Sequence, residues 1–155
     1  MNHTLSKPEL VADRILRLCF VLQQEIDRKI VVSSIKDCNA EITFQNLLIM
    51  KALEGSKGTH MNAIGELLNI SKAQMTQSID KLVILGMVSR QDSPKDRRKI
   101  DIYLTEEGKR VLEAVDKIIK RKIMEKISDL SNTELDRLLK SLEDNIDFFV
   151  KDPKK

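Results

Sequence analysis

Between Ser71 and Lys99 the chain reads SKAQMTQSIDKLVILGMVSRQDSPKDRRK, and its polar and charged side chains fall into two groups. The first is Ser71, Lys72, Ala73, Gln74, Thr76 and Gln77, followed by Lys81. In a helix that buries Met75, Ile79 and Leu82, these residues share the outward side. Glutamine offers a donor and an acceptor together, lysine a point charge, and alanine and threonine a methyl group. That set matches the base edges of a major groove: paired amide contacts to adenine, a cation on guanine or phosphate, a methyl against thymine. The second group is DSPKDRRK, where Lys95, Arg97, Arg98 and Lys99 surround Asp96. A basic loop tip suits a narrow minor groove, whose negative potential attracts arginine. Asp96 is suited to brace a neighbouring arginine in a bidentate pair. A plainer account stands beside this one: Gln74 caps its own helix and the other residues form a solvated face.

The elements that must hold these residues are legible on either side. Ile64, Leu67 and Leu68 repeat at helical spacing and stop at Asn69, which tolerates the left-handed conformation of a short turn. Ser71 and Gln74 form a capping-box pattern, the next helix buries Met75, Ile79, Leu82 and Leu85, and Gly86 ends it. MVSRQ and IDIYLT, flanking the basic loop, have the alternation of short antiparallel strands, and Asp92-Ser93-Pro94 initiates the turn between them. Helix, turn, helix, strand, basic loop and return strand make a winged helix-turn-helix. From Lys72 to Lys99 there are seven basic and three acidic residues, a net +4 against +3 for the whole chain. The positive charge is therefore concentrated where the grooves would be met, which points to nucleic acid.

IGELLNIS, the helix ending in DKLVILGMVSR, and DSPKDRRKIDIYLTEEG together resemble the MarR family of bacterial transcription regulators. The most specific parts are Asp96-Arg97-Arg98 in the wing and Leu104-Thr105-Glu106 with Gly108 at the entry to the next helix. The resemblance is strong over residues 40 to 110 and compatible in layout over the terminal helices. It implies that Arg97 enters the minor groove and that Arg98 or Lys99 meets the backbone. One departure is Gly65, where the family usually has alanine; both are small enough for close helix contact.

Composition narrows the partner. Aromatic residues are 3% of the chain, with one tyrosine, Tyr103, and no tryptophan, which disfavours the base-stacking modes of single-strand recognition. Double-stranded DNA is the expected partner. No secretory signal is read in LCFVL, which is short and follows Arg14 and Arg17, and no apolar run reaches membrane-spanning length, so a cytoplasmic protein with no membrane partner is expected. No enzyme is expected. His3 and His60 are the only histidines, no nucleophile–base arrangement or glycine-rich phosphate loop appears, and no four-ligand zinc spacing occurs. No cofactor or metal is called for.

The ends of the chain carry long helical patterns. Ser6 to about Ser33 reads as one helix, capped by Ser6 and Glu9, with a stripe of Leu10 or Val11, Ile15, Leu18, Leu22, Ile26 and Ile30. Ser34 to Glu41 reads as a polar connection, Thr43 as the cap of a helix through Leu53 with Ile42 and Leu47 stapled, and His60 as part of a brief strand beside the wing. Thr105 caps a helix striped by Leu112, Val115, Ile119, Ile123 and Ile127; Ser131 and Glu134 cap a last one carrying Leu135, Leu138, Leu139, Leu142, Ile146 and Phe149. These stripes either cover each other within one subunit or clasp a second copy. A homodimer, also implied by the resemblance, would set two recognition helices about 34 Å apart on a palindromic site. The expected architecture is thus mainly α with a small β-hairpin wing: a DNA-binding domain over 40–105, flanked by a helical dimerisation region over 1–36 and 106–152. The resemblance further implies repression and a small-molecule effector of unspecified identity. Cys19, on or beside the first stripe, reads as a buried small hydrophobe, or else as a redox sensor such as some relatives carry; Cys38 reads as the more exposed of the two thiols. The competing class is a winged-helix module that binds protein instead of DNA.

Overall fold

Several helix starts in this chain are set by hydroxyl residues that pair with the residue three places on and take up otherwise unbonded N–H groups. A computed structural model describes residues 6–93 and 99–150. Helix α1 (Lys7–Leu22) begins after Ser6, whose N–H and hydroxyl both donate to the Glu9 carboxylate at 2.7 Å. A π-wound segment (Gln23–Val31) and helix α2 (Val32–Asp37) follow without a break. Thr43 caps α3 (Phe44–Leu53): its Oγ1 accepts from the Asn46 N–H at 3.1 Å, while Asn46 Oδ1 accepts from the Thr43 N–H at 3.0 Å. Ile42 and Leu47 are both buried, as a staple requires. Strand β1 (Thr59–His60) leads into α4 (Met61–Leu68), and α5 (Lys72–Ile84) completes the helix pair.

Strands β2 (Val88–Asp92) and β3 (Ile100–Leu104) form the hairpin, and the brief strand at His60 pairs with it as expected. The antiparallel order is β1-β3-β2, with Val88 opposite Leu104, Gln91 opposite Asp101 and Thr59 opposite Ile102. Helix α6 (Glu106–Lys126) leaves the sheet at Thr105, and α7 (Asn132–Val150) follows the Ser131–Glu134 cap. The described chain divides into two compact units on either side of the Lys120–Arg121 bond. The first holds one core, built from Ile49, Met50 and Leu53 of α3, Ile64 of α4, Met75, Ile79 and Leu82 of α5, Ile102 of β3, and Leu112 and Val115 of α6. Each of these large apolar side chains contributes about 1.5–3 kcal/mol when fully buried.

Polar contacts fix how the helices meet inside that unit. Asn46, only 2% exposed, donates from its amide to the Ser78 carbonyl of α5 at 3.5 Å. Gln45 donates to the Ser78 hydroxyl at 2.9 Å. Lys51 of α3 pairs with Asp116 of α6. Burial works to lower the Lys51 ammonium, but the Asp116 hydrogen bond and charge, with Glu54, outweigh it and hold the pKa above its ordinary value.

Four expectations needed correction. The first helix does not end near Ser33; helical winding continues to Asp37. Ser34, expected in a polar connection, is fully buried because its hydroxyl donates to the Ile30 carbonyl at 2.8 Å and so needs no water. Leu67, grouped with the apolar repeat of α4, is 73% exposed. The edge of α4 that faces inward carries Ile64 and Gly65, and Leu67 falls beyond it. Cys19, read as buried, is exposed on α1, whereas Cys38 is half-buried against the core, the reverse of their expected order.

The start of α6 is the tightest junction. Thr105 Oγ1 accepts from the Gly108 N–H at 3.0 Å and donates to the Gly86 carbonyl at 2.7 Å, while the Thr105 N–H donates to the Met87 carbonyl at 3.1 Å. A Cβ on Gly108 would lie 2.2 Å from that Met87 oxygen. Gly108→Ala should therefore lower the stability to urea by about 1–3 kcal/mol, although alanine is the better helix former; an unchanged unfolding midpoint would contradict this packing. The Ser131 hydroxyl and N–H hold the Glu134 carboxyl below its ordinary value. A depressed carboxyl contributes above its ordinary pKa and loses that contribution as the pH falls through the lowered one. In NMR titration the Ser131 amide should shift with a midpoint below about 4.3, the ordinary glutamate value, and Ser131→Ala, which removes the hydroxyl but keeps the N–H bond, should raise that midpoint part of the way back.

Candidate nucleic-acid interface

The turn between α4 and α5 is short because Asn69 takes the left-handed conformation, φ 51° and ψ 44°. The Ile70 N–H then donates to the Gly65 carbonyl at 2.8 Å. Gly65 has little room beyond its own backbone: a Cβ there would meet the Ile70 oxygen and Met75 Cγ at 3.2 Å. Ser71 follows in extended conformation and its Oγ accepts from the Gln74 N–H at 3.4 Å. With Met75, Ser78, Ile79 and Leu82 buried, the registry of α5 is decided. Ser71, Lys72, Ala73, Gln74, Thr76, Gln77 and Lys81 are all exposed, so the structure brings the expected set together on the outward side.

Three of these side chains are partly committed, Ser71 among them through its cap. Gln74 Oε1 accepts from the Ser71 hydroxyl at 3.0 Å and from its N–H at 3.4 Å, completing the capping box. A paired contact to adenine needs the amide oxygen as well as the nitrogen, so Gln77 is the better placed of the two glutamines for it. The Thr76 hydroxyl donates to the Lys72 carbonyl at 3.0 Å, leaving its methyl group as the contact it can offer outward. A groove of about 610 Å³ runs beside the turn, lined by Asn62, Glu66, Asn69, Ser71, Lys72 and Gln74.

The wing is anchored at its base. The Ser93 N–H donates to the Lys99 carbonyl at 2.8 Å, and Lys99 is exposed. Lys95, Asp96, Arg97 and Arg98, the tip residues singled out above, lie outside the described residues. A contact that sequence reasoning missed joins helix and wing: Arg90 Nη2 of β2 lies 2.5 Å from Asp80 Oδ1 of α5. Arg90 had counted only towards net charge, and nothing in the ten-residue separation marks the pair before the strand is folded against the helix. The Cys38 thiol is pushed up by burial and further by the Asp37 charge, which disfavours the reactive thiolate.

Residues 41–99 match the sequence model of the MarR family. The chain is 24% identical over 136 residues to the HTH-type transcriptional regulator SarZ of Staphylococcus haemolyticus, covering 88% of this chain and 89% of that one. It is 40% identical over 76 residues to the HTH-type transcriptional repressor YetL of Bacillus subtilis, where the match covers 49% of this chain and 46% of the relative. The chain thus aligns with about half the length of YetL. Among solved structures, wild-type MarR from E. coli in its apo form superposes with a TM-score of 0.74 at 21% identity, covering 84% of this chain and 94% of that one. RV1404 from Mycobacterium tuberculosis superposes with a TM-score of 0.78 at 18% identity, over 98% and 100%. At such identities the superpositions show the fold, and the sequence matches carry the kinship. With the helix pair, the three-stranded wing sheet and the long flanking helices all in place, the chain has the winged helix-turn-helix fold of the MarR structures it superposes on, and its residues 41–99 match the MarR family in sequence.

Proposed function

We propose that the protein is a sequence-specific repressor that binds a palindromic duplex operator as a homodimer and is released by a small molecule. The observation that carries the DNA reading is the outward side of α5, where every expected contact residue is exposed beside an anchored wing base. Ser71, Lys72, Ala73, Gln74, Thr76 and Gln77 meet the major groove, Lys81, Lys95, Arg98 and Lys99 the phosphates, and Arg97 the minor groove with Asp96 bracing the wing. Support for repression is the name of YetL, a repressor that shares 40% identity over the matched segment. Support for dimerisation through 1–36 and 106–152 is the apolar surface of α1 and α7. Neither helix buries a residue within the single chain, and Leu18, Leu22, Leu142, Ile146 and Phe149 are all exposed. A small molecule acts only through a difference in affinity between two lobe placements. A cavity of about 380 Å³ fits that role, because Leu85 at the end of α5 and Arg110 of α6 both line it beside Cys38.

Selection of bound duplexes from a random pool tests the reading directly. A two-fold symmetric consensus is expected, and purified protein that retains no duplex at low salt would end the proposal. In gel shifts at two salt concentrations, Lys81→Ala should flatten the salt dependence by about one unit. Gln77→Ala should cost about 1–3 kcal/mol at its contacted base pair, and Arg97→Ala should weaken binding and blunt A·T preference at the flanks. Leu142→Asp should shift the protein to a monomer in sedimentation and remove operator binding with it; a dimer that survives this change would exclude α7 from the interface.

A further inference from the structure

The segment Gln23–Val31 joins two helices of opposite character. Outboard of it, α1 buries nothing in the single chain; the segment's own last residues, Ile30 and Val31, are buried, and so are Ser34 and Ile35 inboard of it. The nine residues between are π-wound, and the Val32 N–H reaches back five residues to the Asp27 carbonyl. Such winding is usually confined to a single turn within an α-helix, and it recurs at functional positions. Here it persists for about two turns. The serines that follow bond to its last carbonyls: Ser33 Oγ donates to Lys29 at 2.5 Å and to Ile30 at 2.9 Å, and Ser34 Oγ donates to Ile30 at 2.8 Å. Serine hydroxyls bonding back onto a helix weaken and bend it. Unusual winding, hydroxyl back-bonding and a change from bare to buried surface thus coincide in one stretch.

We propose that residues 23–31 are a winding joint, in which the segment exchanges between π and α registers and so turns α1 against the DNA-binding lobe. An α-helix advances about 100° per residue, whereas a pattern reaching five residues back advances less than about 90°. Over nine residues the two windings therefore differ by roughly a quarter turn or more. The Lys29–Glu25 ion pair at 2.5 Å lies within the segment and is exposed, so either winding can keep its charges in water. This inference rests on the proposed dimer for its consequence. With α1 clasped to a partner, rewinding would re-aim each lobe, and a duplex fitting one placement would select one register.

The experiment is hydrogen exchange on the full chain, free and with saturating operator duplex, alongside a variant lacking Arg28 and Lys29. About two π turns use nine residues, and α winding completes two turns in about seven, so the deletion lets the segment relax into α register with α1 nearly in phase. In the free protein, amides of 23–31 should exchange at least about tenfold faster than those of Val32–Asp37. Operator should change that rate by about threefold or more, and the deletion should slow exchange in the segment while the chain stays folded. Protection in 23–31 equal to that of Val32–Asp37 overturns the joint, whether or not DNA binds. A rate indifferent to bound operator overturns its coupling to DNA. Should the deletion variant fail to fold, Ser33→Ala, which removes the exposed back-bond, is expected to slow exchange in the same direction, and unchanged exchange in it counts against the joint. A chain that binds no duplex overturns the DNA reading alone, since the free-protein comparison still decides the joint.

Discussion

Everything the interface offers depends on the burial of one edge of α5. Met75, Ile79 and Leu82 are each 1% exposed or less, and with Ser78 they lock the helix at one rotation. Turning α5 by a single residue, about 100°, would bring Thr76 and Asp80 towards the core and strand charge in an apolar site. The apolar contacts therefore do more than stabilise: they select which residues can ever face a ligand. The polar bonds refine this placement. Asn46 and Gln45 reach Ser78 from α3, and Asp80 holds Arg90 of the wing, so helix, support and strand move as one piece.

The wing is held to this piece through a chain of backbone contacts centred on Met87. Its N–H donates to Leu82 of α5 at 2.9 Å, and its carbonyl accepts from Thr105 at 3.1 Å. Gly108 lies against that same carbonyl, which is why the entry to α6 has no space for a side chain. Recognition helix, sheet and the root of α6 thus meet at one residue, and Lys51–Asp116 adds a second tie between α3 and α6 further along. A displacement of the α6 root would be transmitted to α5 directly, because close-packed junctions shift as units and do not bend smoothly.

Much of this was legible in advance, for identifiable reasons. Caps are local, so Ser6, Thr43, Ser71 and Ser131 could be found within four residues of chain, and each now shows its hydrogen bonds. The inward edge of α5 followed from helical periodicity, and the wing strands followed from alternation on either side of a basic turn. Failures came where the deciding partner is distant or is the backbone itself. Ser34 looked polar and is buried because it satisfies itself on Ile30, and Leu67 looked apolar and is exposed because Gly65 takes the inward place. Asp80–Arg90 needs the strand folded back before it exists. The exposure of Lys72, Gln74, Gln77 and Lys81 likewise followed from periodicity, because once Met75, Ile79 and Leu82 turn inward the remaining positions of α5 are left outside.

The bare faces of α1 and α7 pose an energetic question that the proposed dimer answers in magnitude. Leu10, Val11, Leu18, Leu22, Leu138, Leu139, Leu142, Ile146 and Phe149 each remain between 38% and 61% exposed in the single chain. Full burial of such a side chain is worth about 1.5–3 kcal/mol, so covering the remaining half gives roughly 1 kcal/mol apiece. Association costs about 4–15 kcal/mol in lost freedom. One subunit's set alone falls inside that range, too little for a firm complex with a smooth, passive surface. A two-fold arrangement counts the set twice and clears it, because each face supplies the apolar partner for its own copy. The same reckoning accounts for an α1 that lacks any buried residue in the single chain yet keeps its apolar stripe: in the proposed dimer that stripe would pack on the second copy, with residues 23–31 between it and the lobe.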